Sequence, residues 1–179
     1  MNRTPLLHNE TLLLRAIEPE DIDVFSGWEN DTGYWETGNT IAPFSRFALK
    51  QYIQQATQDI YETKEIRFII ERKSDGVSVG TIDVSRIDFF HKRAEMGILI
   101  DKACQEKGYA VMALNVLQEY VFGFIGLQQL YCHVSVTNIA SQRMLERVGF
   151  EQVGTLINWL RRGDAFHDAF FYQLQRAEK

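Results

Sequence analysis

Between Ala94 and Phe122 the side-chain pattern changes period, and a glycine stands at the change. In "AEMGILI", Ala94, Met96, Ile98 and Ile100 fall on one face of an extended strand, and Glu95, Gly97 and Leu99 on the other. From about Lys107 to Phe122, Ala110, Ala113, Leu114, Leu117 and Val121 instead mark one stripe of a helix. A strand that gives way to a helix through "DKACQEKGYA" requires a sheet and helices packed in layers.

The rest of the chain extends this pattern. Glu10 to Ile17 reads as a strand, and Pro19 sits at a first helical position ahead of Ile22, Val24, Phe25 and Trp28. Asn30 to Phe44, rich in Gly, Thr, Asn and aromatics, reads as a loop and a substrate lip. Ser45 opens a second helix carrying Leu49, Tyr52, Ile53, Ala56 and Ile60. Strands at Glu65 to Arg72 and Val77 to Ile87 flank a Ser74-Asp75-Gly76 turn suited to a hairpin. After the central helix come the strand "LQQLYCHVSV", a short helix "IASQRMLERV" ended by Gly149, and strands around Phe150 to Leu160 and Ala165 to Leu174. The expected fold is α/β or α+β, a mixed sheet between helices.

At 179 residues the chain makes one domain spanning 1–179, and no linker divides it. It is 45% apolar and 24% charged, with no apolar run near the ~18 residues of a membrane span. Met1 to Thr11 lacks the basic-then-apolar order of a secretion signal, so the cytoplasm is the expected address. Cys104 and Cys132 lack the close spacing of metal or redox motifs, and His8, His91, His133 and His167 are scattered; no metal is expected. A net charge of −5 argues against a nucleic-acid partner. The charge is uneven: from Ala16 to Ser45 there is no Lys or Arg, yet Glu18, Glu20, Asp21, Asp23, Glu29, Asp31 and Glu36 fall there. Such a tract attracts a cationic partner, with Glu29, Asp31 and Glu36 the candidate substrate contacts; the acids after Pro19 also suit a helix start facing water.

A helix start offers backbone N–H groups without partners and a partial positive charge, which together suit a phosphate. Gln105, Glu106, Lys107, Gly108, Tyr109 and Ala110 form such a start, with a Q-x-x-G-x-A pattern whose small residues leave the backbone open. Neither a G-x-x-x-x-G-K-[ST] motif nor a G-x-G-x-x-G after a strand is present, which weakens nucleotide and dinucleotide readings. Q-x-x-G-x-A alone is also compatible with plain turn chemistry.

Taken with "AEMGILI", "QEKGYA", "LYCHV", Asn138 and Ser141 in an N-x-x-S pattern, and "LERVGF", the sequence resembles the GNAT family of acetyl-CoA-dependent N-acetyltransferases over nearly the whole chain. "HKRAEMGILI" and "RRGDAFHDAFFYQL" are similar to the branch holding ribosomal-protein N-terminal acetyltransferases and bacterial spermidine N-acetyltransferases. The resemblance implies a mostly antiparallel sheet of six to seven strands flanked by helices. It implies that the amides of Gln105 to Ala110 hold the acetyl-CoA pyrophosphate and that the main chain of Ile98, Leu99 and Ile100 pairs with the pantetheine arm. It further implies that the Leu99 N–H faces the thioester oxygen and that Asn138 and Ser141 line the opposite wall.

An alkyl amine of pKa ~10.4 is neutral in only about one molecule in a few thousand at pH 7, so the reaction needs a base. Glu95, the lone carboxylate of its strand, fills that role in the resemblance; the alternative is a solvent-facing residue paired with Arg93 or Lys92. Spermidine acetyltransferases of this branch commonly carry a tyrosine seven residues after the asparagine, taken to protonate the leaving thiolate, where this chain has Leu145. Ser141 could donate instead, or serve as a helix cap; Tyr131 and His133 are further donors if they are not simply core residues. The sequence therefore leads to acetyl transfer by direct attack, first to a protein or peptide N-terminus and second to a polyamine or other small cationic amine. A protein that binds acetyl-CoA without turnover is a third reading. Self-association into a homo-oligomer stays open.

Overall fold

Strand pairing fixes the architecture. The structure, a computed structural model, describes residues 6–35, 40–56 and 59–177. Seven strands form one sheet: β1 (Leu12–Ala16), β2 (Ile66–Arg72), β3 (Val77–Asp88), β4 (Arg93–Ile100), β5 (Gln129–Ser135), β6 (Glu151–Arg162) and β7 (Ala165–Gln175). Their order is β1-β2-β3-β4-β5-β7-β6, antiparallel at every pairing but β4–β5. Two turns carry left-handed glycines at the hairpins β2–β3 and β6–β7, Gly76 at φ +69° and Gly163 at φ +58°.

The helices are α1 (Ile22–Glu29), α2 (Thr32–Trp35), α3 (Arg46–Gln55), α4 (Ile60–Thr63), α5 (Tyr109–Gln118) and α6 (Ile139–Arg147). The single helix expected from Ser45 through Ile60 is two: α3 ends at Gln55, and Asp59 caps a new turn through the Tyr61 N–H. The loop expected from Asn30 to Phe44 contains the one-turn α2, closed by the Tyr34 N–H bonding to the Asp31 carbonyl. Beyond Gln118 the central helix widens into a π-helical stretch, Glu119–Ile125, and stops at Gly126 with φ +82°.

Each face of the sheet carries a core, as the alternation in β4 requires. Ala94 and Met96 join Leu114, Leu117, Leu130 and Tyr172 in the larger cluster under α5 and α6. Leu99 points the other way, against Ile22, Phe25, Trp28, Leu49 and Ile53 of α1 and α3. Each large aliphatic side chain buried here contributes about 1.5–3 kcal/mol relative to exposure. Arg15 of β1 clamps the smaller layer to the sheet edge, donating to both carboxylate oxygens of buried Asp21 and to Glu71 of β2. Among the described residues no helix is long and apolar enough to cross a membrane.

Candidate active site

The sheet opens at its centre. β4 and β5 pair through Arg93–Gln129, Ala94–Leu130 and Glu95–Tyr131 and no further, so their carboxyl ends diverge into a fork. The starts of α5 and α6 follow those two strand ends. Ligands favour this place in sheets with parallel strands, where helix N-termini and unpaired strand edges converge.

Strand alternation decides which peptide groups face the fork. The Asp101 N–H bonds to the Val79 carbonyl on β3, and a Cβ built on Gly80 would lie 2.1 Å from the Leu99 carbonyl oxygen. Odd-numbered peptides near the end of β4 thus turn to β3, and those of Ile98 and Ile100 turn to the fork. The Ile100 carbonyl fits this, accepting from the Tyr34 hydroxyl at 3.3 Å and Gln105 Nε2 at 3.1 Å instead of from a strand. The Leu99 N–H expected at the thioester oxygen is on the β3 side; the fork-facing donors are its neighbours.

At the start of α5, Glu106 at φ +61° and Gly108 at φ +80° reverse the chain ahead of the helix. A Cβ on Gly108 would meet nothing closer than Met112 Cε at 3.6 Å, so glycine is needed there for its backbone angle rather than for space. Among the described residues none of the amides 105–111 donates to a protein acceptor; the first helical bond is from Met112 to Gly108. The side chains here fold back: Lys107 donates to the Ala103 carbonyl, and the Tyr109 hydroxyl accepts from Arg72. Seven successive amides at a helix start fit a pyrophosphate. Across the fork Asn138 caps α6 by accepting from the Ser141 N–H at 3.1 Å, so the cap is Asn138 and the Ser141 hydroxyl bonds to no described group.

Glu95 stands where the fork closes, its side chain 12% exposed. It pairs with Arg86 and not with Arg93 or Lys92; Arg93 lies instead 3.4 Å from Asp88. An extra residue in β3 between Ser85 and Asp88, with Arg86 at φ +51°, makes the bulge that aims the guanidinium at Glu95. The other carboxylate oxygen lies 3.3 Å from His133 Nδ1 on β5. The His133 ring, and then Arg86, hold the Glu95 carboxyl below its ordinary range against the upward push of burial.

A charged group on β2 and β3 lies near it. Arg67 donates to Glu29 at 2.8 Å and lies 3.6 Å from Asp83 and 3.7 Å from Glu65, which also accepts from the Tyr52 hydroxyl. The Asp83 carboxylate takes the space a side chain on Gly97 would fill, 3.0 Å from a Cβ built there. Burial pushes the Asp83 carboxyl up, and Arg67 opposes the shift. Four carboxylates, Glu29, Glu65, Asp83 and Glu95, thus share two arginines, Arg67 and Arg86. Of the acidic tract, Glu29 is held by Arg67, and Asp31 by Lys102 beside a surface cavity of about 280 Å³; Glu36 lies outside the described residues.

Sequence reasoning passed over Arg67, Asp83 and Arg86. For Arg67 and Asp83 the available signal was parity, since each sits at alternate positions to the apolar residues of its run; Arg86, three residues after Asp83, falls on the other parity and reaches Glu95 only through the bulge. Leu145 is 1% exposed in the larger core. Burial pushes the Cys132 thiol up to about 12, which keeps it protonated and unfit as a nucleophile. Among the described residues no cluster of three or more His, Cys, Asp or Glu could hold a metal ion.

The Acetyltransferase (GNAT) domain family matches residues 11–151. The chain is 28% identical over 152 residues to the spermidine N(1)-acetyltransferase of Vibrio cholerae serotype O1, covering 83% of this chain and 84% of that protein. It is 28% identical over 173 residues to the uncharacterized N-acetyltransferase YoaA of Bacillus subtilis, covering 95% and 96%. The crystal structure of spermidine N-acetyltransferase from Vibrio cholerae in complex with CoA and spermine superposes with a TM-score of 0.85 at 24% identity, covering 93% of this chain and 96% of that one, a likeness of fold. With a family match over most of its length and the family's fold around a forked sheet, the chain belongs to the GNAT acetyltransferases.

Proposed function

We propose that the protein transfers an acetyl group from acetyl-CoA to a primary amine of the polyamine class, the cationic acceptor being drawn to the acidic face around Glu95. The observation that carries this reading is the excess of carboxylates there: Glu29, Glu65, Asp83 and Glu95 against Arg67 and Arg86. A field of that sign concentrates a cation carrying several ammonium groups more than one carrying a single group. The similarity to a spermidine N(1)-acetyltransferase supports the same order. A peptide N-terminus, the first choice on sequence, offers one ammonium and uses less of this face.

Acetyl-CoA supplies the acetyl group as a thioester. The free amides of 105–111 hold its pyrophosphate, and the fork-facing main chain of Ile98 and Ile100 pairs with its arm and offers an N–H to the thioester oxygen. Asn138 fixes the start of α6 on the other wall, where the Ser141 hydroxyl stands ready for the leaving sulfur. Glu95 anchors the proton-accepting site at the closed end of the fork. With Cys132 protonated, the amine attacks directly and no acyl-cysteine forms.

The test is thiol release from acetyl-CoA with spermidine, spermine, aminoglycosides and peptides of varied first residue, alongside calorimetry with CoA. Release with spermidine and spermine above all peptides is the expected result. Release with peptides alone returns the assignment to a protein N-terminus. Heat of CoA binding without release from any amine leaves a non-catalytic acetyl-CoA sensor.

A further inference from the structure

The Glu95 carboxylate is poorly placed to accept a proton by itself. Arg86 occupies one oxygen and His133 Nδ1 lies 3.3 Å from the other, so both already face donors. His133 has a free side. Among the described residues nothing hydrogen-bonds to its Nε2, and the side chain is 20% exposed. It lies two residues past Tyr131, where β5 has parted from β4, on the same face of the strand.

Resting on the acetyl-transfer reading above, we propose that His133 Nε2 is the atom that takes the proton from the incoming ammonium, and that Glu95 is a positioning residue which keeps the other ring proton on Nδ1. A carboxylate at Nδ1 selects the tautomer whose Nε2 carries a lone pair and stabilises the ring once both nitrogens are protonated. A carboxylate held below its ordinary range and already facing Arg86 and the ring is a weak proton acceptor, whereas the ring nitrogen on its far side is open. The groups facing the ring are Glu95 of β4, with Arg86 of β3 on that carboxylate, and Trp159 of β6, edge-on at 6.2 Å between centroids. Its register partner on β7 is Phe171, and Tyr131 and Ser135 are its same-face neighbours on β5.

The step balances as follows. The ammonium gives one proton to Nε2; the freed lone pair on nitrogen forms the C–N bond as the thioester C–S bond breaks. The electron pair of that bond leaves on sulfur, which takes the second amine proton by way of the Ser141 hydroxyl. Imidazolium returns its proton to water. The products are the acetamide, the free thiol and one proton.

The test uses the full chain and two readouts. Nitrogen-15 NMR of the histidine rings from pH 5 to 9 should find the neutral His133 ring protonated on Nδ1, and Glu95→Gln should shift it toward the Nε2-protonated form. In thiol-release assays His133→Ala should lower kcat by about 10²–10³-fold, change the KM for acetyl-CoA less than about twofold and lose the acidic limb of the pH profile. Free imidazole should restore part of that rate. His133→Gln, closer in size, guards against misfolding and should show the same loss with CoA binding intact by calorimetry. A wild-type ring protonated on Nε2, or a His133→Ala enzyme within threefold of wild type with its acidic limb retained, overturns this inference alone. No thiol release from wild type with any amine overturns the acetyl-transfer reading and this one with it.

Discussion

At the scale of single residues, the site depends on what is missing as much as on what is present. Gly80 lies in a β3 bulge, where Val79 is the extra residue opposite Ile70 and Glu71, and the Leu99 carbonyl occupies the place of its side chain. A methyl group 2.1 Å from a backbone oxygen can be relieved only by moving β3 from β4. Gly80→Ala should therefore cost about 1–3 kcal/mol of stability, a fall in Tm of several degrees by calorimetry. It should also weaken CoA binding, because β4 carries the fork-facing peptides of Ile98 and Ile100. Leu145 is a different kind of absence. Buried at 1% exposure in the main core, it contributes packing and has no proton to give a leaving group.

At the scale of elements, the strand-to-helix junctions build the site, and the α6 junction can be tested separately from chemistry. Asn138 satisfies one orphan amide of α6, so Asn138→Ala should cost about 1 kcal/mol, read as a Tm lower by about 2–4 °C. Asn138→Ser, which keeps a capping oxygen, should recover most of that loss. A variant that lost activity without losing Tm would give Asn138 a role in the fork beyond capping. These elements were legible in the sequence because their signals are local: alternation gave β4, a 3.6-residue stripe gave α5, Ser74-Asp75-Gly76 gave the β2–β3 turn, and Gly149 gave the end of α6. The break between α3 and α4 was masked by Ile60, which continues the apolar spacing although it belongs to a new turn capped by Asp59. The bulge at Arg86, the parting of β4 from β5 and the gathering of Glu29, Glu65 and Asp83 on Arg67 depend on which strands become neighbours. No local period encodes that choice. For the same reason Glu95 is legible as a candidate base while its partners, Arg86 and His133, are not; the alternative pairing with Arg93 or Lys92 does not occur.

At the scale of the whole molecule, a buried carboxyl, Asp21, and a half-buried one on β3, Asp83, pull stability in opposite directions with pH. At Asp21 burial pushes the carboxyl up, but hydrogen bonds from Arg15 and the Glu18 amide outweigh it, and the net shift is down. A carboxyl held below its unfolded value contributes stability that is present above about pH 4 and lost as pH falls through the folded pKa. Asp83 is shifted up, chiefly by burial, so its contribution is present below about pH 4 and lost as pH rises toward the folded value. In urea unfolding at pH 7, Asp21→Asn should be less stable than wild type by about 2 kcal/mol, under the value for a fully buried pair because Arg15 is 25% exposed. That gap should narrow as the pH is lowered from 7 to 3. Asp83→Asn should instead be at least as stable as wild type at pH 7, and that advantage should vanish as the pH is lowered to 3, since wild type regains the proton that asparagine imitates at every pH. Parallel pH curves for the two variants would mean that Arg67, against the carboxylates of Glu65, Glu29 and Glu95, holds Asp83 ionised as firmly as Arg15 holds Asp21. The acidic face would then keep the Asp83 charge for an incoming amine down to a pH below the ordinary carboxylate range.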